Sequence, residues 1–282
     1  GMKKQWDKEF ITLSNRLGGR RSNWEVWNDF LTMAAIAFAN VMPTPERTER
    51  EDCYLSIIRS YEKEEQEIFP QLLSVVTMAF EENPKQDFLG NLYTALNLNQ
   101  HQKGQFFTPY HICEFMAEVQ NGGDLKAEVE KKGFISVSDP ACGAGALLIA
   151  FANSARAHGV NYHEKVLFVA QDIDATAAKM CYIQLTLLGC SACIIIGDSL
   201  SKPGFHPDNE VYYTPMYFLN SWRFCEKTRT EEISANGAVA KTVSEVVIEA
   251  VVSKPSVDAA EIREAFLEEA DGQFSFDLLT AS

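Results

Sequence analysis

The chain reads as an α/β protein: helices over residues 1 to about 100, then a parallel sheet with crossover helices. Three observations predict this. Apolar residues recur at helical spacing through the first segment. From about residue 134 three short apolar runs alternate with helical stretches, the pattern of strand–helix–strand units. Each of those runs ends in an acidic residue or reaches one within two positions: Asp139, Asp172 and Asp198.

Taken in order, Ser22 and Glu25 form a capping box, and Trp24, Trp27, Leu31, Ala34, Phe38 and Val41 follow at helical spacing. Thr44-Pro45 reads as the cap and first residue of the next helix, a charged segment carrying Leu55, Ile57 and Ile58. Further helices are expected over Gln71 to Phe80 and Asp87 to Leu96. Thr108-Pro109 reads as the cap of a helix with Ile112, Phe115, Met116 and Val119 on one face, ended at Asn121-Gly122-Gly123. Strands are expected over Phe134 to Ser138, Val166 to Ala170 and Cys193 to Ile196, with helices Ala146 to Ala157 and Ala175 to Leu188 between them. Residues 203 to 217 read as a loop or irregular strand. Beyond them two short helices are expected, Val243 to Val252 and Val257 to Ala270, and no strand.

Composition bounds the function. No apolar run approaches the roughly 20 residues of a membrane span. The N-terminus lacks the apolar stretch of a secretory signal, and Gly1 before Met2 reads as a tag remnant. A cytoplasmic location is expected, which the odd count of 7 cysteines fits. Cys190 and Cys193 stand as one C-x-x-C pair with no second pair to complete a zinc site, so no metal is expected. The net charge of -14 is unfavourable for a protein that grips phosphate by itself, and the one small basic cluster is Arg16, Arg20 and Arg21.

Ligands of an open parallel sheet bind outside the carboxyl ends of its strands. There the chain reads Asp139-Pro140-Ala141-Cys142-Gly143-Ala144-Gly145 and then an apolar helix. Two glycines let the backbone turn and approach a ligand, and the helix start offers free amides. Leu148 stands where a dinucleotide fingerprint has its third glycine, which argues against NAD.

This Asp-Pro-Ala-Cys-Gly-x-Gly loop resembles the cofactor loop of adenine-specific DNA methyltransferases. Four other segments match in the same order. They are Asp87-Phe88-Leu89-Gly90-Asn91-Leu92-Tyr93, Gly104-Gln105-Phe106-Phe107-Thr108-Pro109, Gln171-Asp172 and Gly197-Asp198-Ser199-Leu200. Together they resemble the methylation subunits of type I restriction–modification systems. The resemblance implies a Rossmann-like methyltransferase domain at 104–225, a helical domain at 1–103 and a C-terminal extension at 226–282. It implies S-adenosylmethionine as cofactor. Asp139 would hold the methionine amino group, Ala141, Gly143 and Gly145 would pass beneath the cofactor, and Asp172 would accept from the ribose hydroxyls. Asp198 would accept from the adenine amine, Phe106 would wall the pocket, and Thr108 with Pro109 would meet the methionine carboxylate.

The family's Asn-Pro-Pro-aromatic motif is absent. Thr214-Pro215-Met216-Tyr217 is the nearest sequence at the expected distance, so Thr214, Pro215 and Tyr217 are the candidate catalytic residues, preceded by a weak strand over Glu210 to Tyr213. Family members also continue the sheet, so the chain reads either as a truncated relative or as a short form that needs a partner. The expected function is methylation of the exocyclic amine of adenine in DNA. DNA is the expected partner, met with a specificity or other partner subunit; self-association is left open, and no membrane is involved. The alternatives are a cofactor-binding subunit without catalysis, a methyltransferase acting on protein or RNA, and another kind of nucleotide-binding protein.

Overall fold

The structure is a computed structural model, and it describes residues 5–98, 107–121, 125–221 and 273–275. Six helices come first: α1 (Trp6–Asn15), α2 (Asn23–Ala39), α3 (Arg47–Ile58), α4 (Lys63–Gln66), α5 (Ile68–Glu82) and α6 (Phe88–Ala95). The Ser22–Glu25 capping box starts α2 as the sequence predicts. That helix is buried nearly all round, through Trp27, Phe30, Leu31 and Ala35 among others. It ends at Ala39, before Val41, which is exposed. Thr44-Pro45 makes a backbone turn rather than a side-chain cap: Arg47 N–H donates to the Thr44 carbonyl, and α3 begins only there.

Two helices then lead to the sheet, α7 (Tyr110–Asn121) and α8 (Leu125–Lys132). The rest alternates: β1 (Ile135–Asp139), α9 (Ala146–Ala157), α10 (Tyr162–Lys165), β2 (Val166–Asp172), α11 (Ala175–Leu187), β3 (Ser191–Ile196), β4 (Glu210–Tyr213) and β5 (Gln273–Ser275). β1, β2 and β3 run parallel, as the crossover pattern requires. On β1 the alternate residues Ile135, Val137 and Asp139 are buried.

The buried face of α7 is not the predicted one. Cys113, Ala117, Gln120 and Asn121 are buried, whereas Ile112 is 43% and Phe115 66% exposed. α7 packs on α9, and small residues let the two axes approach closely.

Two features of the sheet differ from expectation. Glu210–Tyr213 is a strand, but it lies antiparallel to β3 at the sheet edge. Strand β5 pairs in parallel with β1, so the sheet order is β4-β3-β2-β1-β5 and the C-terminal region does contribute a strand. The two helices expected at 243–252 and 257–270 lie outside the described residues.

Side chains from the helical segment and the sheet segment form one continuous core. Phe10, Trp27, Leu72 and Leu89 join Leu148, Phe151, Phe168 and Ile183 in it. The seam runs along α11, which is buried on every side because α2 covers the face turned away from the sheet. Polar links fix its register. Thr176 Oγ1 donates to Asn28 Oδ1 at 2.6 Å, and Lys179 Nζ donates to Thr32 Oγ1 at 3.1 Å. On β4, the Arg50 guanidinium stacks 4.6 Å from the Tyr212 ring centroid.

Arg20 and Arg21 also serve the helical layer. Arg20 pairs with Glu62 at 3.5 Å, and Arg21 donates to the Ser60 carbonyl and stacks 3.7 Å over Tyr61. No described helix is long and apolar enough to cross a membrane.

Candidate functional site

The carboxyl ends of β1 and β2 each carry a buried acid. Asp139 is fully buried, and its Oδ1 accepts from Ala141 N–H at 3.1 Å, which turns the chain out of the strand. The loop then folds back over β2. Cys142 N–H donates to the Gln171 carbonyl at 2.9 Å, and Gly143 N–H donates to Asp172 Oδ2 at 2.8 Å. Asp172 Oδ1 accepts from Asp174 N–H at 2.8 Å. Burial raises the Asp172 carboxyl above its ordinary value, and those two amide bonds partly offset the rise.

The glycines are required by geometry. Gly143 has φ of +53° and Gly145 +90°, a region that side chains disfavour. A Cβ on Gly143 would stand 3.1 Å from the Phe107 ring, and one on Gly145 2.7 Å from Cys181 Sγ. The loop therefore lies flat between an aromatic ring and α11.

Asp198 sits at the surface, beyond β3. Its oxygens accept from Leu200 N–H at 3.0 Å and Ser201 Oγ at 2.8 Å, which hold its carboxyl below the usual value. Gln171 anchors this third loop: Nε2 donates to the carbonyls of Gly197 at 3.2 Å and Lys202 at 2.9 Å, and Oε1 accepts from Gly204 N–H at 2.8 Å. Gly197 N–H in turn donates to the Asp172 carbonyl at 2.9 Å. All three acids thus stand on neighbouring loops of one edge.

Thr108 and Pro109 lead into α7, whose first turn bonds to the Pro109 carbonyl. Phe106 lies outside the described residues. Its neighbour Phe107 is the aromatic over the glycine loop, 5.3 Å from the Tyr93 ring in an edge-to-face arrangement. Sequence reasoning passed over Phe107, as it did Ile173, which is 72% exposed directly after Asp172. The signal available in the sequence was position alone: Ile173 directly follows the strand-end acid Asp172, and Phe107 precedes Thr108-Pro109.

The structure does not bring Thr214, Pro215 and Tyr217 to this edge. Because β4 is antiparallel to β3, the residues that follow it emerge where β3 begins, at the opposite end of the parallel strands. Thr214 is fully buried there; its hydroxyl donates to the Cys190 carbonyl at 2.7 Å and accepts from Ala192 N–H at 2.9 Å. Tyr217 stacks on Tyr213 at 4.9 Å. A cleft of about 640 Å³ lined by His163, Gly189, Met216 and Leu219 opens at that same end, away from the three acids. The strand whose carboxyl end does reach the acid edge is β5, parallel to β1.

The N-6 DNA methylase family matches residues 85–246, more than half of the chain. A type I restriction enzyme methylase subunit, MjaVIII, from Methanocaldococcus jannaschii is 29% identical over 152 residues. That alignment takes in 51% of this chain and 24% of the relative, so the chain spans about a quarter of that subunit. A Listeria monocytogenes crystal structure assigned to the class I S-adenosylmethionine-dependent methyltransferases is 20% identical, with a TM-score of 0.36. That match covers 70% of this chain and 52% of the other. The glycine loop, the acids at the strand ends and the extent of the family match agree: this chain belongs to the N-6 DNA methylase family.

Proposed function

We propose that this chain is the S-adenosylmethionine-binding part of an adenine-specific DNA methyltransferase of the restriction–modification type. One observation carries the reading: the glycine loop is tied by Gly143 N–H to Asp172 at the carboxyl edge of the sheet. The donor set fits the cofactor. Glycines carry no side chain of their own to hold a ligand off the loop, and the Phe107 ring over Gly143 walls it. Asp172 accepts amide bonds from Gly143 and Asp174 on different oxygens, and a carboxylate has about four lone-pair sites, so acceptor capacity is left for the ribose hydroxyls. Asp139 faces the methionine amino group, Ala141, Gly143 and Gly145 pass beneath, and Asp198 accepts from the adenine amine. Thr108 and Pro109, at the start of α7, take the carboxylate, where the helix N-terminus favours negative charge. The apolar side chain of Ile173 offers a face for the base.

The cofactor supplies an electrophilic methyl group on a sulfonium, and the acceptor is the adenine amine. The protein's work is then positioning and exclusion of water. The net charge of -14, with Arg20 and Arg21 engaged within the helical layer, supports a partner subunit as the source of most phosphate contacts.

A second reading, a cofactor-binding subunit without transfer, is favoured by one observation: no Asn-Pro-Pro sequence occurs in the chain. Methyl-labelled S-adenosylmethionine, offered with duplex DNA, RNA and protein as acceptors, separates the two. Label on DNA adenine supports the first reading, bound cofactor with no label anywhere the second. Label confined to RNA or protein would overturn both.

A further inference from the structure

The helical layer reaches the glycine loop through one buried amide. Gln184 lies in the last turn of α11 and is fully buried. Its Oε1 accepts from Leu89 N–H at 3.0 Å, in the first turn of α6. Its Nε2 donates twice, to Asp87 Oδ1 at 2.9 Å and to the Ala144 carbonyl at 2.8 Å. Only an amide offers one acceptor and two donors on a single planar head, and all are used. Asp87 is held in turn: its Oδ1 accepts from Gly90 N–H at 2.9 Å, and a Cβ on Gly90 would stand 2.0 Å from the other carboxylate oxygen. So the Asp87-Phe88-Leu89-Gly90 turn is shaped to present one carboxylate and one N–H to Gln184.

The remaining bond bears on the cofactor loop. The Ala144 carbonyl and the Gly145 N–H belong to one planar peptide unit. Fixing that carbonyl fixes the orientation of the plane and, with it, the left-handed turn at Gly145. Asp172 fixes Gly143 N–H from the other side. A second path from α6 meets the same loop, since Tyr93 packs on Phe107 and Phe107 lies over Gly143.

We propose that Gln184 is a positioning residue for the cofactor: with Asp87 and the start of α6 it locks the Ala144–Gly145 peptide, so that the helical layer sets the affinity of the glycine loop. The inference rests on the cofactor reading above. It predicts that cofactor affinity depends on a residue that the cofactor does not touch, because a preformed loop loses less freedom on binding.

The test uses Gln184→Met and Gln184→Glu, both close to glutamine in size. Methionine removes all three bonds. Glutamate keeps the acceptor for Leu89 N–H and the cap on α6; ionised, or sharing a proton with Asp87, it leaves the Ala144 carbonyl without its amide donor. Two quantities are read well below the unfolding midpoint: hydrogen exchange at the Gly143 and Gly145 amides without ligand, and the Kd for S-adenosylmethionine. Loss of one buried bond to the loop gives about tenfold faster exchange and about tenfold weaker binding in both variants. A glutamine that merely caps α6 would give a lower midpoint in both variants, with loop exchange and Kd unchanged; that result overturns the proposal. If one variant does not fold, the other decides alone. Wild type that binds no S-adenosylmethionine overturns the cofactor reading itself, whereas wild-type binding with unaltered variants overturns only the role of Gln184.

Discussion

Gly145→Ala is the sharpest perturbation of the glycine loop. The new Cβ would meet Cys181 Sγ at 2.7 Å and Cys181 Cα and Cβ at 3.4 Å, so the sulfur or the loop must move. The backbone, at φ of +90°, is also one that alanine disfavours. The conformational part costs about 1–2 kcal/mol. Overpacking in a tight core costs about 1–3 kcal/mol. The sum is about 2–5 kcal/mol. The two parts separate in a double-mutant cycle with Cys181→Ala, which removes the clashing sulfur and leaves the φ untouched. Cys181 also shares a thiol–thiol hydrogen bond with Cys142, which together with burial pushes the Cys142 thiol up, so the single Cys181→Ala variant carries its own cost. Urea unfolding of the four proteins then gives a favourable coupling of about 1–3 kcal/mol, with the φ cost remaining in the double variant. A Gly145→Ala loss below about 0.5 kcal/mol, or no coupling to Cys181, would refute the account of how the loop is held.

Three further outcomes are expected. Burial raises the Asp172 carboxyl above its ordinary value of 3.8, so the folded state holds its proton more tightly than the unfolded chain. The stability difference, wild type minus Asp172→Ala, therefore falls as pH rises from the ordinary value through the raised one; a rise of that difference over the window, read by thermal unfolding, would contradict the assignment. Thr214→Val removes the hydroxyl bonded to Cys190 and Ala192 and lowers stability by about 1–3 kcal/mol, with the Kd for S-adenosylmethionine unchanged; a weakened Kd would return Thr214 to the site. The Tyr93 hydroxyl is buried with no hydrogen-bond partner among the described residues, so Tyr93→Phe leaves the urea midpoint unchanged or higher, and a clear loss would reveal a partner.

Much of the sheet segment was legible because its signals agree. β1, β2 and β3 are short apolar runs, and α9 and α11 between them are long and ended by Gly159 and Gly189, both with positive φ. The acids at the strand ends were legible from topology alone. Helix faces were less so. In α7 periodicity selected Ile112 and Phe115, but the close approach to α9 selects the smaller Cys113 and Ala117. The short helices α8 and α10 carry too few turns for a pattern. The direction of a strand is invisible in its composition, so Glu210–Tyr213 read as the strand before the catalytic motif although it runs antiparallel. Strand β5, parallel to β1 on the side away from β2, is only Gln273–Ser275, too short to stand out. The role of Gln184 could not be read at all, because its partners are 95 and 97 positions away on α6 and 40 away in the loop.

The most direct test of the central claim is a calorimetric titration of S-adenosylmethionine into the wild-type chain, with Asp172→Ala alongside. Saturable binding by the wild type, weakened at least about tenfold by the loss of charge-assisted hydrogen bonds in the variant, is the predicted result. Absence of binding by the wild type, or equal binding by the two, would contradict a cofactor site built on the glycine loop and Asp172.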